Sequence, residues 1–284
     1  MLELAQGLSL RALTELADLE RRTVAADGGR LKLEWAALRA RSGDRVDDVL
    51  WWDGDRLVGF VGLYAFGFPT VELAGMVDPA HRRRGIGSAM LGEALRLCAE
   101  RSAQRVLLVV PRSSAGGHAL AKSRGGVLDH SEHALVLAGE PADGPSDPSI
   151  TLRPATRADA PAMAAMLTEA FGWTPADVLD REPAPDAVTL VIEKDGQVVA
   201  HVRITLDGGV GGVYGFVVEA AQRGQGIGRD VLRRVCRRLR ADGAEQVALE
   251  VEVQNEHALG LYTSIGFRPV ITEDYYSMLM PDRG

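Results

Sequence analysis

The sequence predicts an α/β protein of two tandem domains with one fold, each a mixed, mostly antiparallel sheet flanked by helices. The segments RRRGIGSAML at 82–91 and RGQGIGRDVL at 223–232 share an arginine, Gly-Ile-Gly and a closing leucine at identical offsets. We call the separation of their equivalent glycines, Gly85 and Gly226, the repeat offset. Solenoid repeats have periods of about 20 to 50 residues, whereas domains have about 100 to 150. The repeated unit is therefore a whole domain, and 284 residues suit two domains.

A change of composition marks the boundary between the two copies. Residues 139–149, GEPADGPSDPS, hold three prolines, two glycines and three acidic residues, which is typical of a linker. We therefore predict an N-terminal domain at 1–138 and a C-terminal domain at 150–284.

Each predicted domain contains a hairpin. In the first copy, DDVLWWDGDRLVGFVGLYAF turns at Asp53-Gly54, and in the second, AVTLVIEKDGQVVAHVRITL turns at Asp195-Gly196. A short strand and a helix precede the second hairpin, and the helix opens with Thr156 and Asp159 in the spacing of a capping box.

The elements after the hairpin also occur twice in the same order. A strand (about 71–78 and about 212–219) leads into the glycine segment and an amphipathic helix (about 86–102 and about 227–242). A buried strand, a short helix and a final strand pair follow. Strands that alternate with helices in this order predict an α/β sheet with mixed strand directions.

Composition limits the classes of partner. The net charge of −7 and the pI near 5.5 argue against a nucleic-acid-binding surface, which would be basic. The sequence has neither a membrane-spanning apolar run nor a signal-peptide pattern, so we expect a cytoplasmic protein with small-molecule partners. Cys98 and Cys236 lie in predicted helices without metal-ligand spacing, so we predict packing roles, no disulfide and no metal.

The repeated glycine segment suits an anion. It lies where a strand passes into a helix, and the first turn of a helix has N–H groups without intrahelical partners. Glycines allow a ligand to approach this backbone, so a pyrophosphate is the natural occupant. A Walker loop needs Gly-Lys-Ser/Thr, and a dinucleotide fingerprint needs a third glycine where Met90 and Val231 stand. A glycine turn that only begins a helix is the remaining alternative.

Sequence further downstream favours one interpretation. Residues 249–267, LEVEVQNEHALGLYTSIGF, combine a strand, an asparagine at the next helix start, and Leu-Tyr followed by Gly-Phe. Together with Arg-x-x-Gly-x-Gly, this segment closely resembles the GNAT family of N-acetyltransferases, which bind acetyl-coenzyme A. The resemblance covers most of residues 150–280 and, more weakly, residues 1–138.

The resemblance implies a cofactor site in each copy. In the second copy, backbone amides would hold the pyrophosphate beside Arg223, and a strand and Asn255 would flank the pantetheine arm. The amide positions are Gly224, Gln225, Gly226, Ile227, Gly228 and Arg229, and the strand positions are Phe216, Val217 and Val218. The corresponding positions of the first copy are Met76, Val77, Arg82, Arg83, Arg84, Gly85, Ile86, Gly87 and Ser88.

Acetyl transfer also needs an acid and a base. Tyr262 matches the family's tyrosine that protonates the departing thiolate. Proton transfer from a phenol to a thiolate is unfavourable by only about 1.5 pKa units, or about 2 kcal/mol. Many members of the family carry a glutamate where this chain has Gly212, so this position does not supply a catalytic base here. Glu250 shares one strand face with Glu252, and it would act through a water or else point into solvent. His257 we interpret as a surface residue.

The first copy lacks this chemistry. Counting back by the repeat offset from Glu250, Asn255 and Tyr262 gives Val109, Ser114 and Ala121, although Glu72 occupies the glutamate position. We therefore expect a first copy that is catalytically silent but still able to bind coenzyme A, and a second copy that performs the reaction.

The layout of a silent copy before an active one resembles mycothiol synthases, which acetylate a cysteinyl amine. The similarity includes MVDPAHRRRGIG, EAAQRGQGIG and the ADGG at 26–29, followed by Glu34, a position that reaches the acceptor in that family. Thr205, Gly212 and the direct EAF-GWT junction depart from the family's acceptor site, which suggests a different amine.

Aromatic residues complete the acceptor prediction. By the resemblance Trp173 and Tyr275, with Phe171 and Tyr276, fall in segments that border the acceptor, although core packing is the alternative. Three functions stay open: an acetyltransferase for a small amine, a mycothiol synthase, and a non-catalytic module that senses coenzyme A. Acetylation of peptide or protein N-termini is a further alternative.

Overall fold

The computed structural model describes residues 1–65, 70–172 and 187–279. Within those ranges, every helix is too short or too polar to traverse a lipid bilayer. The two cysteines, Cys98 and Cys236, are both buried and unbonded to each other.

The chain forms two compact units that are not consecutive stretches of sequence. The first unit consists of Met1–Glu132 together with Ile271–Gly284, and the second consists of His133–Val270. The predicted ranges 1–138 and 150–284 follow the order of the chain, and the units differ from them at residues 133–138 and from residue 271 onward. The pairing of strands that are distant in sequence decides which unit these residues join. The composition of the sequence does not indicate this pairing.

The first unit is a six-stranded sheet with helices on both faces. Its described helices are α1 (Leu10–Asp27), α2 (Trp35–Arg39), α3 (Ile86–Glu100) and α4 (Ala115–Ser123). Its strands are β1 (Leu2–Ala5), β2 (Asp48–Asp53), β3 (Arg56–Tyr64), β4 (Thr70–Val77), β5 (Arg105–Pro111) and, from Ile271 onward, β12 (Arg268–Ser277). They lie in the order β1-β2-β3-β4-β5-β12, and β4 with β5 is the parallel pair.

Two apolar layers hold the first sheet. Leu91 and Leu95 of α3 pack on the face that presents Leu73, whereas Leu16 and Leu19 of α1 pack on the face opposite. Because side chains alternate between the faces of a strand, one strand supplies both layers. Truncation of a fully buried leucine such as Leu16 to alanine typically costs about 2 to 5 kcal/mol of unfolding free energy.

The second unit repeats this arrangement. Its helices in the described ranges are α5 (Ala160–Phe171), α6 (Ile227–Ala241) and α7 (Glu256–Ile265). Its strands are β7 (Ile150–Pro154), β8 (Ala187–Lys194), β9 (Gln197–Asp207), β10 (Val210–Val218), β11 (Gln246–Glu252) and the last five residues of β6 (Val127–Leu137). They lie in the order β6-β11-β10-β9-β8-β7, with β10 and β11 parallel. The predicted α/β class with a mixed, mostly antiparallel sheet is confirmed for both units.

The segment 139–149, predicted as a linker, has no helix or strand but is fastened to the second unit. The amide of Ala142 donates to the Ile265 carbonyl at 2.8 Å, and Arg234 donates to the Asp147 carbonyl at 2.6 Å. These hydrogen bonds hold the segment against α6 and the end of α7.

The hairpin turns follow from their glycines. Asp195 (φ 52°) and Gly196 (φ 79°) form the two-residue turn between β8 and β9, as the sequence predicts. In the first unit Asp53 still pairs with Arg56, so the turn is Gly54-Asp55, one residue later than predicted. Positive φ is strained for most side chains and easy for glycine, which fixes Gly54 (φ 57°) in the turn.

Candidate active site

Each predicted glycine segment forms a corner between a strand and a helix, which we call a glycine corner. At each glycine corner the helix begins after a glycine in the left-handed conformation. Gly85 (φ 81°) precedes α3 and Gly226 (φ 84°) precedes α6, and neither helix has a side-chain cap hydrogen bond. A Cβ built on either glycine meets no atom within 4 Å, so the space before the helix is open. Free backbone N–H groups, the positive helix end and this open space together fit an anionic group such as a diphosphate.

An arginine braces each corner in the same way. Nε of Arg82 donates to the Val77 carbonyl at 3.0 Å, and Nε of Arg223 donates to the Val218 carbonyl at 2.9 Å. These contacts tie the loop to the end of the preceding strand. Arg82 is also held by both carboxylate oxygens of Asp27, at 2.8 and 2.6 Å.

The other predicted corner residues fall into two groups. The exposed ones are Arg83, Arg84, Gly224, Gln225 and Arg229. The remaining ones pack inward or are half-buried: Ile86, Gly87, Ser88, Ile227 and Gly228. The buried isoleucines anchor their helices in the cores and present only backbone to the corner. Arg83 adopts φ 62° where the second unit has Gly224 at φ 78°.

The second glycine of the motif lies within van der Waals reach of a short helix in each unit. A Cβ on Gly87 would lie 3.4 Å from Leu120, and one on Gly228 would lie 3.4 Å from Leu261. The two contacts come from the short helices α4 and α7, so the same packing recurs in both units.

Strand β10 is bulged where the pantetheine arm is predicted to lie. Its pairing with β9 changes register between Tyr214 and Val217, and Gly215 has φ 53°. Its parallel pairing with β11 covers Val210–Gly212, so Phe216, Val217 and Val218 lie beyond that pair. A strand edge without a neighbour offers its N–H and C=O groups to a ligand.

Strand β4 of the first unit lacks this bulge. It pairs with β3 without a register change from Glu72 to Val77, and its parallel pairing with β5 covers Thr70–Leu73. Met76 is buried against α1, and Val77 packs on the opposite apolar layer. Both units thus have the predicted corner, but only the second has the bulged strand among the residues described.

Tyr262 lies on α7 within the core of the second unit. Its side chain is 8% exposed, and its ring meets Phe267 edge to face, with centroids 6.1 Å apart. Burial raises the pKa of the Tyr262 phenol to about 12, which keeps it protonated. Asn255 caps the same helix by accepting from the Ala258 amide at 3.0 Å.

The first unit has the same helix without the tyrosine. Ser114 caps α4 by accepting from the Gly117 amide at 3.2 Å, and Ala121 is fully buried where the second unit has Tyr262. The repeat offset thus relates equivalent structural positions, and the first unit has alanine where the second has Tyr262.

Tyr214 fills the place of the missing glutamate. A Cβ on Gly212 would lie 2.5 Å from Cε2 of Tyr214 and 2.5 Å from Oγ1 of Thr205. The Tyr214 ring therefore lies over Gly212, with the Arg203 guanidinium 5.4 Å from the ring centroid. A side chain at position 212 therefore requires the side chains of Tyr214 and Thr205 to move.

We expect Gly212→Ala to lower the free energy of unfolding by about 1 to 3 kcal/mol, because the added methyl overpacks the contact with Tyr214 and Thr205. Urea unfolding of Gly212→Ala, Tyr214→Ala and the double variant forms a double-mutant cycle. The cost of the methyl should shrink when Tyr214 is already alanine. Equal costs in both backgrounds would show that the ring does not occupy this space.

Glu250 and Glu252 share a face of β11, as predicted. Val247, Leu249 and Val251 alternate with them and belong to the core beside α6. Glu250 is half-buried and Glu252 is exposed. His257 is exposed, in agreement with its interpretation as a surface residue.

His201 on β9 is a buried polar group that sequence reasoning missed. It is 3% exposed and pairs across the sheet with Val217, just past the bulge. Its Nε2 has no hydrogen-bond partner among the described residues. Burial, helped by the Arg203 charge, lowers the pKa of His201 to about 4, so the imidazole is neutral near pH 7.

This shift predicts a loss of stability in acid. The unfolded chain binds a proton near pH 6.5 and the folded chain only near pH 4, so stability falls as the pH falls through that window. We expect a contribution of about 2 kcal/mol to be lost between pH 7.5 and pH 5. Urea unfolding of wild type and His201→Phe across this range measures it. An equal slope in both proteins would contradict the assignment.

The predicted acceptor residue Tyr275 lies in the first unit. It is 1% exposed on β12, which pairs with β5. Its Oη accepts from Nζ of Lys32 at 2.5 Å and donates to Glu132 at 2.6 Å. Tyr275 therefore belongs to the first unit's polar cluster, because this part of β12 pairs with β5 and lies in the first unit.

Lys32 also neutralises Glu72 in this cluster. Its Nζ lies 3.4 Å from the carboxylate of Glu72, the residue at the family's glutamate position. Glu34 stands nearby in the chain, half-buried at the start of α2. The Glu72 carboxylate is thus paired with the Lys32 ammonium group.

The other aromatic predictions have separate outcomes. Phe171 is 49% exposed at the end of α5, whereas Tyr276 is buried and its Oη lies 2.9 Å from Nδ1 of His118. Trp173 lies outside the described residues.

Comparison with known proteins agrees with this geometry. The model of the acetyltransferase (GNAT) family matches residues 10–125 and 160–267, one match in each half of the chain. A mycothiol acetyltransferase of Mycobacteroides abscessus is 32% identical over 266 residues, covering 84% of this chain and 87% of that protein.

Two solved structures share the fold. A GCN5-related N-acetyltransferase from Sphaerobacter thermophilus has a TM-score of 0.77 at 19% identity, covering 98% of this chain and 96% of that one. A tandem GNAT protein from the clavulanic acid biosynthesis pathway has a TM-score of 0.71 at 18% identity, covering 100% of both chains. With two glycine corners, two family matches and these relatives, the chain belongs to the GNAT family, as an N-acetyltransferase that uses acetyl-coenzyme A.

Proposed function

We propose that the second unit transfers the acetyl group of acetyl-coenzyme A to the amine of a small molecule. One observation carries this proposal: Tyr262 and the bulged β10 occur together in the second unit, whereas the first has Ala121 and an unbulged β4. Both features are needed beside a thioester, one as proton donor and one as an exposed row of peptide groups.

Backbone groups of the second unit would hold the cofactor. The N–H groups from Gly224 to Arg229 would bind the diphosphate, and the edge at Phe216–Val218 would pair with the pantetheine arm beside Asn255. When bound, acetyl-coenzyme A supplies an acetyl thioester. A main-chain N–H of the same edge would then stabilise negative charge on the carbonyl oxygen.

Tyr262 would donate the proton that the departing sulfur needs. A phenol with a pKa of about 12 is a weaker acid than a thiol near 8.5 in water. However, the apolar surroundings that raise the pKa of Tyr262 also disfavour a thiolate and so raise the pKa of the thiol. The difference between the two pKa values is therefore smaller than in water. The buried phenol therefore stays protonated until charge develops on the sulfur.

Glu250 would serve as a base through a water molecule. It is half-buried on the face of β11 that also carries Glu252, away from the α6 core. A carboxylate near pKa 4.3 is a poor direct match for an alkylammonium near 10.4, so a relay through water is the reasonable role.

The first unit would bind coenzyme A without turning it over. Its corner at Gly85 keeps the geometry of Gly226, but Ala121, Ser114 and Val109 stand at the positions of Tyr262, Asn255 and Glu250. Glu72 is paired with Lys32 rather than open to an acceptor.

A panel of amines tests the proposal. Thiol release from acetyl-coenzyme A is measured with n-propylamine, ethanolamine, glucosamine and cysteine methyl ester. We expect acetyl-coenzyme A to be consumed with at least one amine and to form one amide per thiol released. Binding without turnover for every amine would instead support a non-catalytic coenzyme A module, the alternative that the loss at Gly212 favours.

Mycothiol synthesis is the second candidate, because curated relatives carry the name mycothiol acetyltransferase. Thr205 and Gly212 depart from the acceptor side of that family, and the Tyr214 ring lies over Gly212. The cysteinyl glucosaminyl-inositol acceptor decides this point in the same thiol assay. Turnover of this acceptor well above the simple amines would identify it, and no product would exclude it.

A further inference from the structure

The second unit has no side chain at the family's glutamate position, and the side chains of Thr205 and Tyr214 lie beside it. Gly212, Tyr214 and Val217 of β10 share a sheet face with Thr205, Arg203 and His201 of β9, because these residues pair across the two strands. Tyr214 packs over Gly212, and the Arg203 guanidinium lies near the Tyr214 ring.

His201 is the residue of this face that combines burial with a ring nitrogen, Nε2, lacking a hydrogen-bond partner among the described residues. Its Cε1 lies 4.0 Å from the Cβ position of Gly215, the residue with φ 53° in the bulge. Its Nε2 is buried and lacks a hydrogen-bond partner within the described part of the chain. A buried polar atom without a partner costs free energy and needs an explanation, of which a missing ligand is one.

The first unit provides an internal comparison. Counting back from His201 by the repeat offset gives Phe60, which is fully buried on β3, and β4 beside it has no bulge. A phenyl ring thus satisfies this position in the unit without the tyrosine. The imidazole and the bulge occur together in the unit with Tyr262.

We propose that His201 accepts a hydrogen bond from the acceptor amine and directs its nitrogen lone pair at the thioester held along the bulge. The inference rests on the proposed function, in which the second unit is catalytic. A neutral imidazole has one N–H and one acceptor nitrogen, and Nε2 is the nitrogen available.

The atoms of the reaction then balance. The amine nitrogen forms a bond to the acetyl carbon, the bond from that carbon to sulfur breaks, and Tyr262 protonates the sulfur. The proton that the nitrogen loses passes through water to replace the one given by Tyr262. His201 stays neutral throughout and acts by orienting the amine nitrogen toward the acetyl carbon. Holding reacting atoms in the productive geometry can raise the reaction rate by a large factor.

Two substitutions at His201 test this role. His201→Phe installs the residue of the first unit, and we expect kcat with the best amine of the panel to fall roughly 10- to 100-fold. His201→Gln keeps a side-chain acceptor, and we expect it to stay within about fivefold of wild type. The KM for acetyl-coenzyme A should be unchanged in both, since His201 faces the amine and not the diphosphate corner.

The outcomes separate this inference from the proposed function. No turnover by wild type with any amine refutes the proposed function, whereas turnover that His201→Phe retains in full refutes only the role of His201. Equal losses in both variants also refute it, because a packing role does not distinguish glutamine from phenylalanine by its acceptor atom.

A measurement on wild type guards against a variant that fails to fold. Imidazole ¹⁵N spectra are recorded with coenzyme A bound, before and after addition of the best amine. We expect the His201 ring nitrogen to shift on addition of the amine, in the direction of an accepted hydrogen bond. An unchanged signal at saturating amine would overturn the proposal.

Discussion

Replacing Tyr262 by phenylalanine is expected to lower kcat by about 10²- to 10³-fold, while the KM for acetyl-coenzyme A changes by less than about twofold. The substitution keeps the ring that packs on Phe267 and removes only the hydroxyl group, the proposed source of the proton. Steady-state rates of thiol release with the best amine measure the effect. Loss of rate without loss of binding is the pattern of an interaction made only in the transition state.

Ala121 supplies the matched position in the first unit. Ala121→Ser places a hydroxyl on the same turn of α4, and we expect no change in kcat because β4 has no bulge and Glu72 is paired with Lys32. Full activity in Tyr262→Phe would disprove the assignment of the proton donor to the second unit.

Gly226→Glu is expected to weaken binding of acetyl-coenzyme A to the second unit by at least about 100-fold. The variant places a carboxylate in the open space before α6, where the diphosphate is proposed to bind. A side chain at φ 84° adds strain of about 1 to 2 kcal/mol, which lowers stability in addition. Calorimetric titration measures affinity and the number of sites, and urea unfolding measures the strain.

Gly85→Glu is the control with the same backbone strain, since Gly85 has φ 81° and an equally open surrounding. We expect this variant to lose one of two binding sites and to keep its turnover. Abolished turnover in Gly85→Glu with turnover intact in Gly226→Glu would reverse the roles of the two units.

Local signals in the sequence predicted the corners well. Gly85 and Gly226 are required by backbone conformation at one point of the chain, so a single short segment contains the whole pattern. The helix starts at Ile86 and Ile227 follow directly from it. Asn255 is likewise a local feature, because a cap acts on an amide three residues away.

Pairing between distant segments could not be predicted in this way. Tyr275 is close in sequence to the second unit, yet β12 pairs with β5, and residues 107 and 277 meet. Which strands pair depends on contacts between segments that are far apart in the chain, and the local sequence does not encode these contacts. The sequence therefore predicted the strand and missed its unit.

His201 was missed because a histidine in an alternating strand reads as an ordinary half-buried residue. Comparison of the two copies would have found it, since Phe60 stands at the equivalent position of the first copy. The missing glutamate at Gly212 was visible in the sequence, but its cause was not. The Tyr214 ring that fills the position becomes visible only when β9 and β10 pair.

The central claim is that peptide groups at the glycine corners hold the diphosphate of the acetyl carrier. Calorimetric titration of the wild-type chain with acetyl-coenzyme A and, separately, with S-acetylpantetheine tests this claim most directly, because the second ligand has the thioester arm and no diphosphate. We predict measurable binding of acetyl-coenzyme A and affinity at least about 100-fold lower for S-acetylpantetheine. Equal affinity for the two ligands, or no heat with acetyl-coenzyme A, would contradict the account.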